Sequence, residues 1–216
     1  MGIYKKYHGV EAHNPSSKVA GHRRLKNRAI SYLATLEEAP VMEMISNQYW
    51  KAENMTDRMM AMMILADSNY AGREKVLNDF HEVWKKDSVV LNKWLAVQAS
   101  TNNRSQTLED VKALTKHPSF SITNPNNVYS LLRSFGTNLV RFHDPSTEAY
   151  KFYADMILEI DPKNPQVAAR LCSAFAFVAK LEPKMKDKAL TEIRRMMAAP
   201  ALSKNSRELL LPMLDA

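Results

Sequence analysis

Hydrophobic residues recur every three to four positions along most of the chain, which is the spacing of one face of an α-helix. Leu25, Ala29 and Leu33 show this spacing early in the sequence, and Tyr153 and Ile157 show it later. No run alternates apolar and polar side chains for long enough to predict a strand. The pattern therefore predicts an all-α protein of about eleven helices, each with an apolar stripe that a neighbouring helix must cover.

Residues that favour helix starts stand in front of these segments. Serine, asparagine and aspartate side chains accept hydrogen bonds from the free N–H groups of a first helical turn, and proline fits within that turn. Helix starts are predicted at Ser16-Ser17, Pro40, Asn54 or Thr56, Gly72, Asp87-Ser88, Thr107, Asn124-Pro125, Pro145 and Asn164-Pro165, and near residues 183 and 203. Residues 1–15 lack this organisation and are predicted to form an irregular lead-in.

The second half of the chain contains an internal echo. Asn124-Pro125 and Asn164-Pro165 lie 40 residues apart, and each pair precedes apolar residues at helical spacing. A period of this length that spans two helices is typical of stacked helical hairpins. We therefore predict that residues 16–216 form a single all-helical domain, a superhelix (solenoid) of antiparallel helix pairs.

The composition excludes several classes of protein. Five glycines in 216 residues do not supply the glycine-rich loop that binds nucleotide phosphates. Cys172 is the only cysteine, which excludes an internal disulfide and a zinc site of several thiolates and favours a reducing compartment. The chain has no apolar run of roughly 18 residues and no secretory signal at its start. We therefore predict no membrane partner and a cytoplasmic location.

Positive charge is concentrated at the start of the chain. The net charge is +7, and residues 1–30 hold seven lysines and arginines against one glutamate, Glu11. Such a patch can attract nucleic acid, but recognition of RNA by a helical array requires aromatic or arginine stacking positions that recur with the repeat. The sequence shows no such recurrence. We therefore predict no nucleic-acid partner, and interpret the basic residues as a helix face that is solvated or docked on an acidic neighbour.

Residue patterns typical of catalytic or metal sites are missing. The motif that begins at His81 resembles H-E-x-x-H but has Lys85 where a second metal ligand belongs. His143 precedes a turn and is interpreted as a hydrogen-bonded structural histidine. Cys172 and the methionines of residues 42–63 have helical spacing and are interpreted as core residues. The sequence predicts no metal site, no cofactor and no catalytic residue in this chain.

One polar pair is a candidate binding site. Gln166 and Arg170 lie four residues apart in the helix that begins at Asn164-Pro165, so both project from one face. A guanidinium near the first turn of a helix suits an anionic or carbonyl group. The alternative is a solvent-exposed pair, or a pair bonded to a neighbouring helix.

Six sequence blocks together resemble a known family. They are GHRRLKN at 21–27, AENMTD at 52–57, KWLAVQA at 93–99, NPN at 124–126, LVRFH at 139–143 and NPQVAAR at 164–170. In this order and spacing they resemble the C-terminal helical domain of bacterial aminopeptidase N, an alanyl-type zinc metalloaminopeptidase. The resemblance covers roughly residues 15–216.

The resemblance implies a division of labour between domains. In this family an upstream catalytic domain holds the zinc through H-E-x-x-H and a further glutamate, and the helical domain covers the catalytic cavity and limits entry to peptides. This chain would then be a non-catalytic domain, inactive alone, with the upstream catalytic domain and the peptide substrate as its partners. The alternative function is a free-standing helical-repeat scaffold that binds another protein through its concave face.

The resemblance also strengthens the candidate pair. The family's glutamine and arginine in the NPQVAAR block face the chamber, and they correspond to Gln166 and Arg170. Related enzymes carry an arginine after Asn-Pro-Asn where this chain has Tyr129. A second cationic contact is therefore not expected at Tyr129.

Overall fold

The computed structural model describes residues 1–9, 14 and 16–215, which form helices, turns and bends without a strand. The all-α fold class is confirmed. The described residues form thirteen α-helices rather than about eleven. Contacts divide the chain into an N-terminal unit, Met1–Trp84, and a C-terminal unit, Lys85–Ala216. The prediction of one domain over 16–216 stays a prediction. Among the described helices, none combines the length and the apolar character needed to cross a bilayer.

The N-terminal unit contains five helices. They are α1 (Gly2–Tyr7), α2 (Ser17–Ala34), α3 (Ala39–Lys51), α4 (Met55–Ala66) and α5 (Arg73–Trp84). Helix α2 packs on α1, α3 and α4, and α4 also packs on α3 and α5. Their apolar stripes meet in a core that includes Ile30, Ile45, Tyr49, Met62 and Phe80. The methionine-rich helix α4 therefore fills the core as predicted for Met62, whereas Met63 is 46% exposed.

Short-range hydrogen bonds account for the helix starts in this unit. The Ser16 hydroxyl accepts from the Val19 N–H and starts α2, and Pro40 lies in the first turn of α3. Of the two residues considered for α4, Asn54 is the cap, because its side chain accepts from the Asp57 N–H at 2.9 Å. The irregular lead-in expected for residues 1–15 is wrong for Gly2–Tyr7, which forms α1, and its remainder lies largely outside the described residues.

The C-terminal unit contains eight α-helices. They are α6 (Ser88–Ala99), α7 (Thr107–Leu114), α8 (Pro125–Val128, continued by a π-helical turn, Tyr129–Arg133, and by Ser134–Gly136), α9 (Leu139–Phe142), α10 (Glu148–Ile160), α11 (Pro165–Cys172), α12 (Pro183–Ala198) and α13 (Lys204–Leu210). Helix α6 packs on α7 and α8, α10 packs on α11 and α12, and α11 packs on α13.

Asparagine and aspartate caps again lie where the sequence predicts them. Asp87 caps α6, Asn124 caps α8 and Asn164 caps α11. The helix start predicted at Thr107 is confirmed, but the Thr107 side chain does not cap α7. Thr107 is the first residue of the helix, and its buried hydroxyl donates to the Arg104 carbonyl at 2.8 Å instead.

Aromatic rings fill the centre of the C-terminal unit. Phe135, Phe142, Tyr150, Tyr153 and Phe175 are all buried, and the Phe142 ring meets Tyr153, Tyr150 and Phe175 edge-on with ring centroids 5.0 to 5.5 Å apart. Edge-to-face contacts of this kind add specific geometry to apolar burial. The cluster joins α8, α9 and α10 to the 3₁₀ turn that follows α11.

Candidate functional site

Helix α11 presents Gln166 and Arg170 together on its exposed face. The opposite face of the helix is buried and includes Val167, Ala168 and Leu171. Asn164 fixes the start of the helix by accepting from the Val167 N–H at 3.1 Å. The amphipathic pattern therefore leaves the two polar side chains pointing away from the core, as predicted from their spacing.

The structure brings Tyr129 to Arg170. The Arg170 guanidinium carbon lies over the Tyr129 ring, 5.7 Å from its centroid. Tyr129 is half-buried and is the first residue of the π-helical turn of α8. A π-helical turn within an α-helix is a bulge that holds one extra residue, and such bulges are frequent at functional sites. The helices that follow the two Asn-Pro pairs are thus in contact through the Tyr129 ring and the Arg170 guanidinium.

The buried Tyr153 side chain holds the π-helical turn that carries Tyr129. Its hydroxyl donates to the Leu132 carbonyl, within the π-helical turn, at 3.1 Å. A Cβ atom at Gly136 would collide with that hydroxyl and lie 2.9 Å from the Ala174 Cβ. Glycine is therefore required for α8 to pack this closely. This contact places the helix that carries Tyr129 close to the end of the helix that carries Arg170.

Asp161 anchors the turn that leads into α11. Its side chain is buried and accepts hydrogen bonds from the Ser203 N–H, the Ser203 hydroxyl and the Ser206 hydroxyl. These bonds tie the end of α10 to the start of α13. Because α11 lies between these elements in the chain and packs on α13, its orientation is fixed at its N-terminal end.

The site has the chemistry of a weak anion and carbonyl receptor. Arg170 offers several N–H donors in one plane with a permanent positive charge, which suits a carboxylate. Gln166 offers a neutral amide that can donate or accept. The two side chains can therefore bind and orient a ligand through hydrogen bonds.

The remaining sequence candidates lie in structural positions. Cys172 is fully buried, its thiol donates to the Ala168 carbonyl, and burial raises the pKa of Cys172 to about 12. His143 lies 2.9 Å from the Tyr150 hydroxyl through its Nδ1 atom, and burial lowers its pKa. Within the described ranges, no group of three or more histidine, cysteine, aspartate or glutamate side chains could hold a metal ion.

The N-terminal unit contains a buried polar cluster that no local pattern in the sequence indicates. The Lys26 ammonium lies 2.6 Å from the Asp57 carboxylate, and these residues are 3% and 8% exposed. Asn27 and Asn54 donate to the same carboxylate, and Gln48 bonds the Asn27 side chain and the Asp57 carbonyl. The interpretation of basic residues docked on an acidic neighbour therefore holds for Lys26.

The environment of Asp57 keeps it ionised. Burial by itself raises the pKa of a carboxylate, but the hydrogen bonds from Lys26, Asn54 and Asn27 outweigh it and lower the pKa of Asp57 below its usual value. Beside the cluster lies a cavity of about 360 Å³ whose lining includes Gln48 and His8. Burial and the nearby Lys26 charge lower the pKa of His8.

The sequence matches a model of one protein family over almost its whole length. That family, DUF3458_C, is described as a domain of unknown function with ARM repeats, and the match covers residues 1–215. It therefore includes the first 15 residues, which the resemblance in the sequence blocks did not cover.

Similar proteins are longer than this chain. Aminopeptidase N of Caulobacter vibrioides is 38% identical over 88% of this chain and 22% of its own length. Aminopeptidase N of Haemophilus influenzae is 32% identical over 85% of this chain and 21% of its own length. The chain thus spans about a fifth of the curated relatives it matches.

A solved structure has the same fold. The crystal structure of Legionella pneumophila aminopeptidase A in complex with aspartic acid matches 99% of this chain with a TM-score of 0.89 and 28% identity, and the match covers 26% of that chain. The resemblance to the C-terminal helical domain of bacterial aminopeptidase N is confirmed.

Proposed function

Because the chain belongs to the DUF3458_C family of ARM-repeat domains, we propose that it acts as the non-catalytic C-terminal domain of a zinc aminopeptidase. An upstream catalytic domain of the same enzyme holds the zinc and removes N-terminal residues from peptides. This chain caps the catalytic cavity and limits what enters it. The support is its similarity to about a fifth of two proteins named aminopeptidase N.

Arg170 and Gln166 contact the peptide substrate in this proposal. Arg170 gives a charge-assisted hydrogen bond to the peptide chain or its carboxylate, and Gln166 gives a neutral hydrogen bond. The observation that carries this assignment is the exposed pair on α11, with the guanidinium held over the Tyr129 ring. The chain itself contributes binding and orientation, and a zinc ion held by the upstream domain would supply the Lewis-acid chemistry of peptide hydrolysis.

The test is Arg170→Ala in the aminopeptidase that contains the catalytic domain. Hydrogen bonds to charged groups stabilise by roughly 1.5–3 kcal/mol, so KM for tripeptides with a free carboxylate is expected to rise about tenfold or more. A C-terminally amidated peptide separates the two possible contacts. The arginine effect disappears with the amide if the carboxylate is bound, and persists if the peptide backbone is bound.

Arg194→Ala is the matched control, since Arg194 is an exposed arginine on α12 and its loss removes the same charge. It should leave the kinetics unchanged. Unchanged kinetics on short peptides in Arg170→Ala would discard the substrate contact. The isolated chain is expected to hold no stoichiometric zinc and not to cleave an alanyl anilide, and cleavage by this polypeptide alone would contradict the non-catalytic role.

The second candidate function is a free-standing scaffold that binds another protein. It is favoured by the ARM-repeat description of the family, because repeats of this kind build extended binding surfaces. The discriminating observation is whether the native reading frame continues upstream into a segment with H-E-x-x-H. In either case we place the protein in a reducing, cytoplasmic setting, consistent with the buried free thiol of Cys172.

A further inference from the structure

Arg170 is an exposed residue with a long, flexible side chain. Lysine and arginine lose much rotamer freedom when a ligand fixes them, which weakens binding. A neighbour that holds the guanidinium in place before the ligand arrives removes part of that loss. Tyr129 is such a neighbour, because the centroid of its ring lies 5.7 Å from the guanidinium carbon.

We infer that Tyr129 is a positioning residue, whose ring holds the Arg170 guanidinium ready for the peptide. This inference rests on the proposed function, because it gives Tyr129 a role in the same site. A cation within about 6 Å of an aromatic centroid is attracted by the negative face of the ring. The N–H donors of a guanidinium lie in its own plane, so a cation held against a ring can still direct donors at a carboxylate.

The backbone around Tyr129 is rigid enough for this task. Two residues before it, Asn127 is buried and joins two segments, since its amide donates to the Asn92 side chain at 2.8 Å and its oxygen accepts from the Ser121 N–H at 3.0 Å. Three residues after it, the Leu132 carbonyl accepts the Tyr153 hydroxyl. The π-helical turn is therefore fixed on both sides of the ring.

The neighbour that lies against Arg170 carries no charge. The guanidinium is attracted to the Tyr129 ring rather than repelled by it, so the pair presents a single positive charge. The ring acts on the ligand through Arg170 and not by direct contact.

Two substitutions at residue 129 separate the ring from its hydroxyl. Tyr129→Phe keeps the aromatic face, and Tyr129→Leu removes it while keeping an apolar side chain of moderate size. In the aminopeptidase that contains the catalytic domain, Tyr129→Leu is expected to raise KM for a tripeptide roughly two- to fivefold with kcat little changed. Tyr129→Phe is expected to match the unmodified enzyme.

A double variant tests whether Tyr129 acts through Arg170. Adding Tyr129→Leu to Arg170→Ala should raise KM no further than Arg170→Ala alone, because the ring then has no cation to hold. Additive effects would show direct contact between the ring and the peptide and would overturn the inference. A Phe variant as impaired as the Leu variant would overturn it too, since the hydroxyl would then be the active group.

A spectroscopic measurement on the 216-residue chain keeps the two proposals distinguishable. Because the Arg170 guanidinium carbon lies 5.7 Å from the ring centroid, the Nε–H proton of Arg170 should show a ring-current shift in NMR spectra. Tyr129→Phe should retain this shift and Tyr129→Leu should abolish it. If the shift behaves this way while Arg170→Ala leaves peptide kinetics unchanged, the substrate contact fails and the positioning role in catalysis fails with it. If Arg170→Ala raises KM but the shift is absent, only the positioning inference fails.

Discussion

The buried ion pair of Lys26 and Asp57 gives a sharp prediction for stability. The Asp57 carboxylate lies 2.6 Å from the Lys26 ammonium and 2.8 Å from the Asn27 amide. Asp57→Ala removes this partner from both groups, although Lys26 is only 3% exposed. Removing one partner of a buried pair costs about 3–5 kcal/mol, because the remaining charge stays buried without compensation. The N-terminal unit should lose this amount of stability.

The assay is amide hydrogen exchange on the isolated chain, which reports on the two units separately. Exchange from α2 and α4 should accelerate about a hundredfold or more in Asp57→Ala, and exchange from α10 should not change. The control is Glu159→Ala, which removes an exposed ion pair of 3.1 Å with Lys163 and should cost less than about 1 kcal/mol.

The double variant Lys26→Met/Asp57→Leu should cost much less than the two single losses added together, since no isolated charge remains. Two results would refute this reasoning. One is an unfolding free energy of Asp57→Ala within about 1 kcal/mol of that of the unmodified chain. The other is a double variant that loses as much stability as the two single variants added together.

Acid should weaken the same unit. Since the pKa of Asp57 is lowered in the folded chain from its ordinary 3.8, its contribution is complete above that value and is lost as the pH falls through the lower folded value. The protection of the α2 and α4 amides, taken relative to their intrinsic exchange rates at each pH, should therefore fall below about pH 4. Asp57→Asn should remove this part of the pH dependence, and an unaltered acid profile would count against it.

Three further predictions concern the C-terminal unit. Gly136→Ala should lower the unfolding free energy by about 1–3 kcal/mol in denaturant titrations, because the added methyl group would collide with the Tyr153 hydroxyl and the Ala174 Cβ. An unchanged unfolding free energy would contradict the close packing. Asp161→Ala should cost roughly 2–3 kcal/mol and speed proteolysis near α13, since Ser203 and Ser206 lose their acceptor; equal proteolysis would argue otherwise. Cys172, with a pKa raised to about 12, should react with thiol reagents only as the chain unfolds, so rapid labelling at neutral pH would exclude its burial.

Helix starts could be predicted from the sequence because capping is local. The side chains of Ser16, Asn54 and Asn164 reach N–H groups three residues on, so the information lies within one turn. Thr107 shows the limit of this reasoning. Its hydroxyl has a local alternative, the Arg104 carbonyl at 2.8 Å, and the sequence does not reveal which bond forms.

The candidate site was predictable only in part. Gln166 and Arg170 share a face by spacing alone, whereas the contact of Arg170 with Tyr129 joins residues 41 positions apart. The Lys26–Asp57 pair likewise joins residues 31 apart. Such pairs depend on how helices pack, which no local pattern fixes. The π-helical turn was also missed, because its residues have ordinary helix propensities.

The π-helical turn of α8 contains one residue more than an α-helical turn in the same place would. Deleting one residue between 129 and 133 would turn its i→i+5 hydrogen bonds into the i→i+4 bonds of an ordinary α-helix. The segments before and after the deletion would then keep their orientation about the helix axis, so Asn127 and Leu132 would keep their partners. We therefore expect that related chains one residue shorter at this place keep the fold but lose the bulge that carries Tyr129.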